Sequence, residues 1–288
     1  MIMNILLRAL LICSMLFAGP LVLAESGQTE KTQIEIVQAE TAQAVLAALA
    51  LSDIIEVMRQ EGLAQAVDVT GGFLPSTAAV AWRRDLDAIY DVNWMKATVA
   101  AHFARELGDA DMSDVLAFLT STNGKRLVAL EVSARQAMSD ASIEDAARSV
   151  YRASDDASDA RRDLVATFIS RNDMVAANVD SALHASFSYY RGLRESGALE
   201  MSDREIIEEV WATEAETRSD TSEWLHAFLW MAYAPLDNSV LAEYSALSAT
   251  GAGQQMNKAL FASFDQMFAE IFYALGLTTG QALQTQNL

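Results

Sequence analysis

The groups in this sequence able to do chemistry are few, and their spacing decides what each could be. His102 and Glu106 stand four residues apart, so on a helix they share one face and could offer a metal an imidazole and a carboxylate. A zinc site needs three or four such ligands, the pattern HExxH is absent, and the only other histidines are His184 and His226. No metal site is therefore assigned. His184, in SALHASFSYY, and His226, two residues after Trp224, each have the side chain of a general base. A histidine at a core rim, satisfied by hydrogen bonds, explains both without catalysis. Residues 109–114, DADMSD, open like a calcium loop but depart from it: Asp114 replaces the sixth-position glycine and Thr120 the twelfth-position glutamate, so helix capping accounts for them.

The glycine-bearing stretches TGAG and NGK lack both the phosphate-loop spacing and a preceding strand, which excludes nucleotide binding by that motif. There is no Gly-x-Ser-x-Gly elbow, and the single cysteine, Cys13, lies near the N-terminus. Carboxylate neighbours such as Glu208-Glu209 and Asp155-Asp156 carry no signal in a chain with 39 acidic residues. No catalytic, cofactor-binding or metal-binding residue is assigned. What remains is a set of large apolar side chains: Trp82, Trp94, Trp211, Trp224, Trp230, Tyr189-Tyr190, Phe268 and Phe272. At helical spacing these belong to a core first, and to a groove for a partner helix or an apolar ligand second.

Residues 1–24 read as a secretory signal peptide. One positive charge, Arg8, precedes an apolar stretch over residues 9–17, and Val22-Leu23-Ala24 supplies a cleavage site near Ala24. The apolar stretch is broken by Gly19-Pro20 and is shorter than the roughly 20 residues a spanning helix needs, and no later charge-free segment reaches that length. The expectation is a secreted, periplasmic protein with no membrane insertion after removal of the signal. With 39 acidic against 20 basic residues the formal charge is −19, which disfavours nucleic acid and anionic lipid as partners. The basic pairs in WRRD (Arg83, Arg84) and ARRD (Arg161, Arg162) are flanked by aspartates and are expected to form ion pairs on helix faces.

The elements that position these groups are helical. Beyond the signal only Pro75 and Pro235 interrupt the chain, and no run alternates in the manner of a half-buried strand. Leu127, Leu130, Ala134 and Met138 step by three or four, as do Phe261, Phe264, Phe268, Ile271 and Leu275, which puts each set on one helix face. Helix starts are signalled at Ser52-Asp53, Pro75-Ser76, Asp91 and Ser202, the last with Glu205 in capping-box register. Stops are signalled at Gly62, Gly108, Gly197 and Gly276. The spacing predicts an all-α layered bundle of about ten antiparallel helices joined by short turns.

FLTSTNGKRLVAL at residues 118–130 is echoed by LSATGAGQQMNKA at 247–259, and Trp94 and Trp224 stand 24 and 23 positions upstream of the two copies. Two copies are too few for a solenoid, so the echo predicts two related helical units packed on one another. The expected organisation is a first helical unit with N-terminal helices at 25–140, a helical connection at 141–201 containing the polar DDASDARRD, a second helical unit at 202–276 and a flexible tail at 277–288. In each copy a hydroxyl residue (Ser121, Thr250) three positions before a glycine (Gly124, Gly253) can cap a helix. The glycine then either takes a positive φ or lets a neighbouring backbone come close.

At SDVLAFLTSTNGKRL (residues 113–127), at residues 232–268 and at IYDVNWM (residues 89–95) the chain resembles the bacterial domain-of-unknown-function family 2059, in a long form with two copies of the motif. Asn123 stands where proline or leucine is frequent in that family, and Gln254-Gln255 replaces a basic pair. The resemblance implies an exported helical protein and transfers no activity. The functional expectation is a non-catalytic binding or interaction protein of the cell envelope, with a protein or apolar small-molecule partner held in a groove lined by both units. The alternative is a hydrolase whose site escapes motif recognition, centred on His184 or His226.

Overall fold

The computed structural model describes residues 28–70, 76–154 and 160–285. The expected signal peptide, Pro75, the DDASD of the polar connection and the last three residues of the expected tail lie outside them. Among the described residues are thirteen helices and no strand: α1 (Gln28–Ala48), α2 (Leu51–Thr70), α3 (Ser76–Ile89), α4 (Val92–Leu107), α5 (Ser113–Thr120), α6 (Thr122–Met138), α7 (Ala141–Ala153), α8 (Ala160–Arg171), α9 (Met174–Glu195), α10 (Asp203–Trp211), α11 (Glu214–Tyr233), α12 (Asn238–Ser248) and α13 (Gly251–Thr285). The protein is an all-α layered helical bundle.

Helix ends follow the capping chemistry of the sequence. Asp91 caps α4 by accepting from the Trp94 amide at 2.7 Å, and Ser202 with Glu205 forms the reciprocal capping box of α10. Gly108 and Gly197 close α4 and α9 in positive-φ conformations (60° and 83°). The other two expected stops are not stops. Gly62 lies inside α2, under the ring of Tyr90, and Gly276 lies inside α13, which runs on to Thr285. Residues 277–285 are therefore helical where a flexible tail is expected.

The reason for Gly276 is a crossing of α9 and α13, which form the largest helix–helix interface. A Cβ on Gly276 would fall 2.0 Å from the Tyr189 carbonyl oxygen, and one on Gly192 would fall 2.2 Å from that of Tyr273. The two backbones touch where both residues lack a side chain. The register rises along both helices, His184 opposite Asp265, Gly192 opposite Gly276 and Ser196 opposite Gly280, so this pair runs parallel. Helix α13 also packs on α3, α4 and α12, and α11 packs on α6, α7 and α9. One contiguous core, from Ala42 to Leu275, draws on all of these elements, and a satellite cluster of Val179, Leu183, Ile206 and Val210 joins α9 to α10.

The two echoed turns have the same local geometry. Ser121 Oγ accepts from the Gly124 amide at 3.1 Å, and Thr250 Oγ1 accepts from the Gly253 amide at 3.1 Å. Neither glycine has a positive φ. Each instead lies against the end of the preceding helix, where a Cβ would sit 2.1 Å from Phe118 O or 2.2 Å from Leu247 O. Close approach, not left-handed backbone, is what these positions require.

The arginine pairs divide. Arg84 meets Asp85 at 3.3 Å on the surface as expected. Arg161 donates to the carbonyls of Tyr233 (2.5 Å), Ala234 (2.9 Å) and Leu236 (2.5 Å), capping the C-terminal end of α11. Arg162 donates to Tyr151 O at 3.0 Å and lies 4.2 Å from the centre of the Tyr151 ring. No single described helix is long and apolar enough to cross a membrane; α1 and α2 reach that length and composition only together, over Val37–Ala48 and Leu51–Ala66, bent by 63°.

Candidate functional site

At the centre of the bundle is a cavity of about 150 Å³. Its aliphatic side is the corner between α1 and α2, where Leu46, Leu49, Leu51, Ile54 and Met58 face it. That corner turns on Ala50, whose φ of 54° is one of two positive values among the described non-glycine residues. The aromatic side is Trp224 and Phe228 of α11, stacked at 4.9 Å, with Phe168 of α8, Tyr244 of α12 and Phe264 of α13. Tyr244 is itself packed against Phe168 at 5.0 Å and Phe118 at 5.5 Å, so the wall is held from behind. The lining thus draws on segments near residues 46–58, 131–135, 168–174 and 224–264.

Three polar side chains join this lining: Glu131, Arg135 and Asn257. Glu131 and Arg135 sit four apart on α6, on the stripe that buries Leu127, Ala134 and Met138. Arg135 is 6% exposed and makes a two-pronged ion pair with Glu61 of α2, Nε to Oε1 at 3.1 Å and Nη2 to Oε2 at 2.6 Å. Ser139 Oγ donates to the same carboxylate at 2.8 Å, and the guanidinium carbon lies 5.2 Å from the centre of the Trp224 ring. Glu131 accepts a hydrogen bond from the Tyr233 hydroxyl. Burial pushes the Glu131 carboxyl up to about 7, and the Tyr233 hydrogen bond opposes that rise. Asn257 Nδ2 donates to Asn172 Oδ1 at 2.5 Å, and Asn172 Nδ2 donates to Phe168 O at 2.8 Å.

The residues singled out in the sequence fall elsewhere, with one exception. Trp224 lines the cavity. Trp82, Tyr189, Phe268 and Phe272 are buried in the core away from it, and Trp94 and Trp230 are partly buried. Trp211 is 59% exposed on α10. His102 takes its Nδ1 contact from Arg105 Nη2 at 2.7 Å, and Arg105 also pairs with Glu106, so His102 and Glu106 do not converge. Among the described residues no group of three or more histidine, cysteine, aspartate or glutamate side chains is placed to hold a metal ion. Asp111, just before α5, accepts from Ser113 N and Oγ at 2.9 and 2.7 Å, which holds its carboxyl below the usual range, while the N-cap position itself is Met112 with no side-chain cap.

His184 and His226 occupy separate surfaces. His184 Nδ1 is 2.9 Å from Asp265 Oδ2, and this hydrogen bond raises its pKa against a smaller opposing effect of desolvation. His226 Nδ1 donates to the Ser222 carbonyl at 2.7 Å, and its ring packs on Tyr151 at 5.4 Å. Among the described residues neither histidine has a hydroxyl or thiol hydrogen-bonded to its other ring nitrogen. The cavity has apolar walls and few polar groups, and those few are held in fixed orientation.

Glu131, Arg135, Tyr233 and Tyr244 were not indicated by the sequence motifs. The available signal is an acid and a base at i and i+4 on an otherwise apolar stripe. Compared with known families, residues 93–152 match a family model described as an uncharacterized protein conserved in bacteria (DUF2059). That segment runs from α4 through α7 and includes the Ser121–Gly124 turn together with Glu131 and Arg135. No curated protein and no solved structure matches the chain.

Proposed function

We propose that this is a non-catalytic binding protein of the bacterial cell envelope, exported with removal of residues 1–24, whose central cavity takes a small apolar molecule. The observation that carries the reading is the cavity itself. A space of about 150 Å³ lined by leucine, isoleucine, methionine and aromatic side chains is the size that accepts a benzene-like molecule. Segments from the N-terminal and C-terminal portions both contribute to it, as a site between two related units requires. The duplication reading is supported by the matching cap and close approach at Gly124 and Gly253.

The test is titration of the purified chain with benzyl alcohol as a neutral probe, followed by calorimetry, alongside the Leu260→Trp variant. Leu260 lines the cavity, and an indole there fills it. Binding by the wild type and its loss in a Leu260→Trp protein with native circular dichroism support the reading; binding unchanged by the substitution overturns it. A second reading, hydrolysis, has one observation in its favour, the orientation of His184 by Asp265. It requires an ester or amide turnover that disappears in His184→Ala.

A further inference from the structure

We propose that the ligand of the central cavity is a small organic cation, an ammonium group on an apolar body, held by the Glu131 carboxylate against the aromatic wall. This rests on the reading of the cavity as a binding site and names the chemistry of what enters it.

The argument begins with the charges on the lining. Two ionisable side chains of opposite sign face the cavity, Glu131 and Arg135. Arg135 is already matched: Glu61 takes its guanidinium in two hydrogen bonds, and Ser139 Oγ donates to the same Oε1 that accepts from Arg135 Nε. Together Arg135 and Glu61 are neutral, so the charge left over on the wall is that of Glu131. Its one hydrogen bond among the described residues comes from Tyr233, and a carboxylate has room for about four. The remaining acceptor capacity belongs to a residue of the cavity wall.

The walls favour the same sign. Aromatic side chains, Trp224, Phe228, Phe168, Tyr244 and Phe264, make up one side of the lining, and an aromatic face attracts a cation and repels an anion. A neutral apolar molecule would fill the space but leave the carboxylate desolvated without a counter-charge. An anion would meet Glu131 directly. An ammonium satisfies the carboxylate, while its apolar body packs against the aromatic side chains and the Leu46, Leu49 and Ile54 side. A carboxyl raised to about 7 by burial is what such a site looks like before its cation arrives.

The experiment compares three probes of one shape on the purified chain by calorimetric titration: benzylammonium, benzyl alcohol and benzoate. At pH 8 benzylammonium is expected to bind about tenfold or more tighter than benzyl alcohol, with benzoate weakest. In Glu131→Gln, which keeps an acceptor for Tyr233, the advantage of the amine is expected to vanish while the alcohol moves by less than about threefold. Lowering the pH from 8 to 5.5 is expected to weaken the amine about tenfold in the wild type and not in the variant. Reading that change as a difference between the two proteins cancels the other charged or titratable groups packed around Glu131: Arg135 on α6, Glu61 from α2, Tyr233 from α11 and Tyr244 from α12. Equal binding of amine and alcohol, or benzoate binding tightest, overturns the cation proposal and leaves the cavity reading standing. Absence of binding by all three probes, or binding that persists in Leu260→Trp, overturns the cavity reading itself. The probe series on the wild type decides the point even if Glu131→Gln fails to fold.

Discussion

Two glycines at the start of α13, two residues apart, should respond to alanine with opposite signs. At Gly253 a Cβ would lie 2.2 Å from Leu247 O and 2.7 Å from Ser248 Cα, both backbone atoms of the preceding helix. The shorter distance is more than about 1 Å inside ordinary van der Waals contact, so one helix end must move. Overpacking of this kind costs about 1–3 kcal/mol, and against backbone the upper end applies, less the roughly 1 kcal/mol that alanine returns in helix propensity. The net expectation for Gly253→Ala is a loss of about 2 kcal/mol, a fall of about 4–8 °C in Tm for a chain of this size. At Gly251 a Cβ would meet nothing within 4 Å. Gly251→Ala should therefore gain about 0.5 kcal/mol by restricting the unfolded chain, a rise of about 1–2 °C. Thermal unfolding followed by circular dichroism compares both variants with the wild type. Gly253→Ala melting at or above the wild type, or both variants falling alike, refutes the close approach at this turn.

Gly124→Ala should reproduce the loss seen at Gly253, since its Cβ would lie 2.1 Å from Phe118 O; an unchanged Tm there contradicts the equivalence of the two turns. Arg161→Met removes the donor to three carbonyls at the end of α11 and should cost about 2 kcal/mol in denaturant unfolding, with no rescue by Arg161→Lys because an ammonium cannot reproduce the fork. Glu131, raised to about 7 in the fold, holds its proton more tightly folded than unfolded, so its contribution is complete below about pH 4.5 and is lost as pH rises to 7. Glu131→Gln should accordingly gain about 3 kcal/mol relative to the wild type between pH 4.5 and 8, and a pH-independent difference would contradict the burial of the carboxyl. The stabilisation from His184, whose pKa is raised by Asp265, is present below about pH 6.5 and lost above its folded pKa. Asp265→Asn should lower Tm at pH 5.5 and leave it unchanged at pH 8.5.

What the sequence made legible is what one helix decides for itself. The Asp91 cap, the Ser202–Glu205 box and the buried stripes on α6 and α13 depend on residues within a few positions of one another, and all are present. What it hid depends on partners far along the chain. Gly276 has the local signature of a helix stop, and only the Tyr189 carbonyl, 87 positions upstream, makes it a crossing point instead. Arg161 stands beside aspartates, yet the carbonyls at the end of α11, more than seventy positions away, offer three acceptors in one place. The cavity shows the same division. Trp224 was legible as a large apolar side chain, whereas Tyr233 became significant only when folding brought its hydroxyl to Glu131, and Glu131 drew no attention among so many carboxylates.

The touching of α9 and α13 also bears on when the bundle can assemble. Helix α13 supplies contacts to α3, α4, α9 and α12, and it follows all of them along the chain. Until its residues emerge, the apolar faces of the earlier helices have no final partner, so closure of the core must await the synthesis of α13. Ribosome-bound fragments ending before residue 251 should stay protease-sensitive throughout, and fragments in which α13 has emerged should gain protection in distant segments at the same moment.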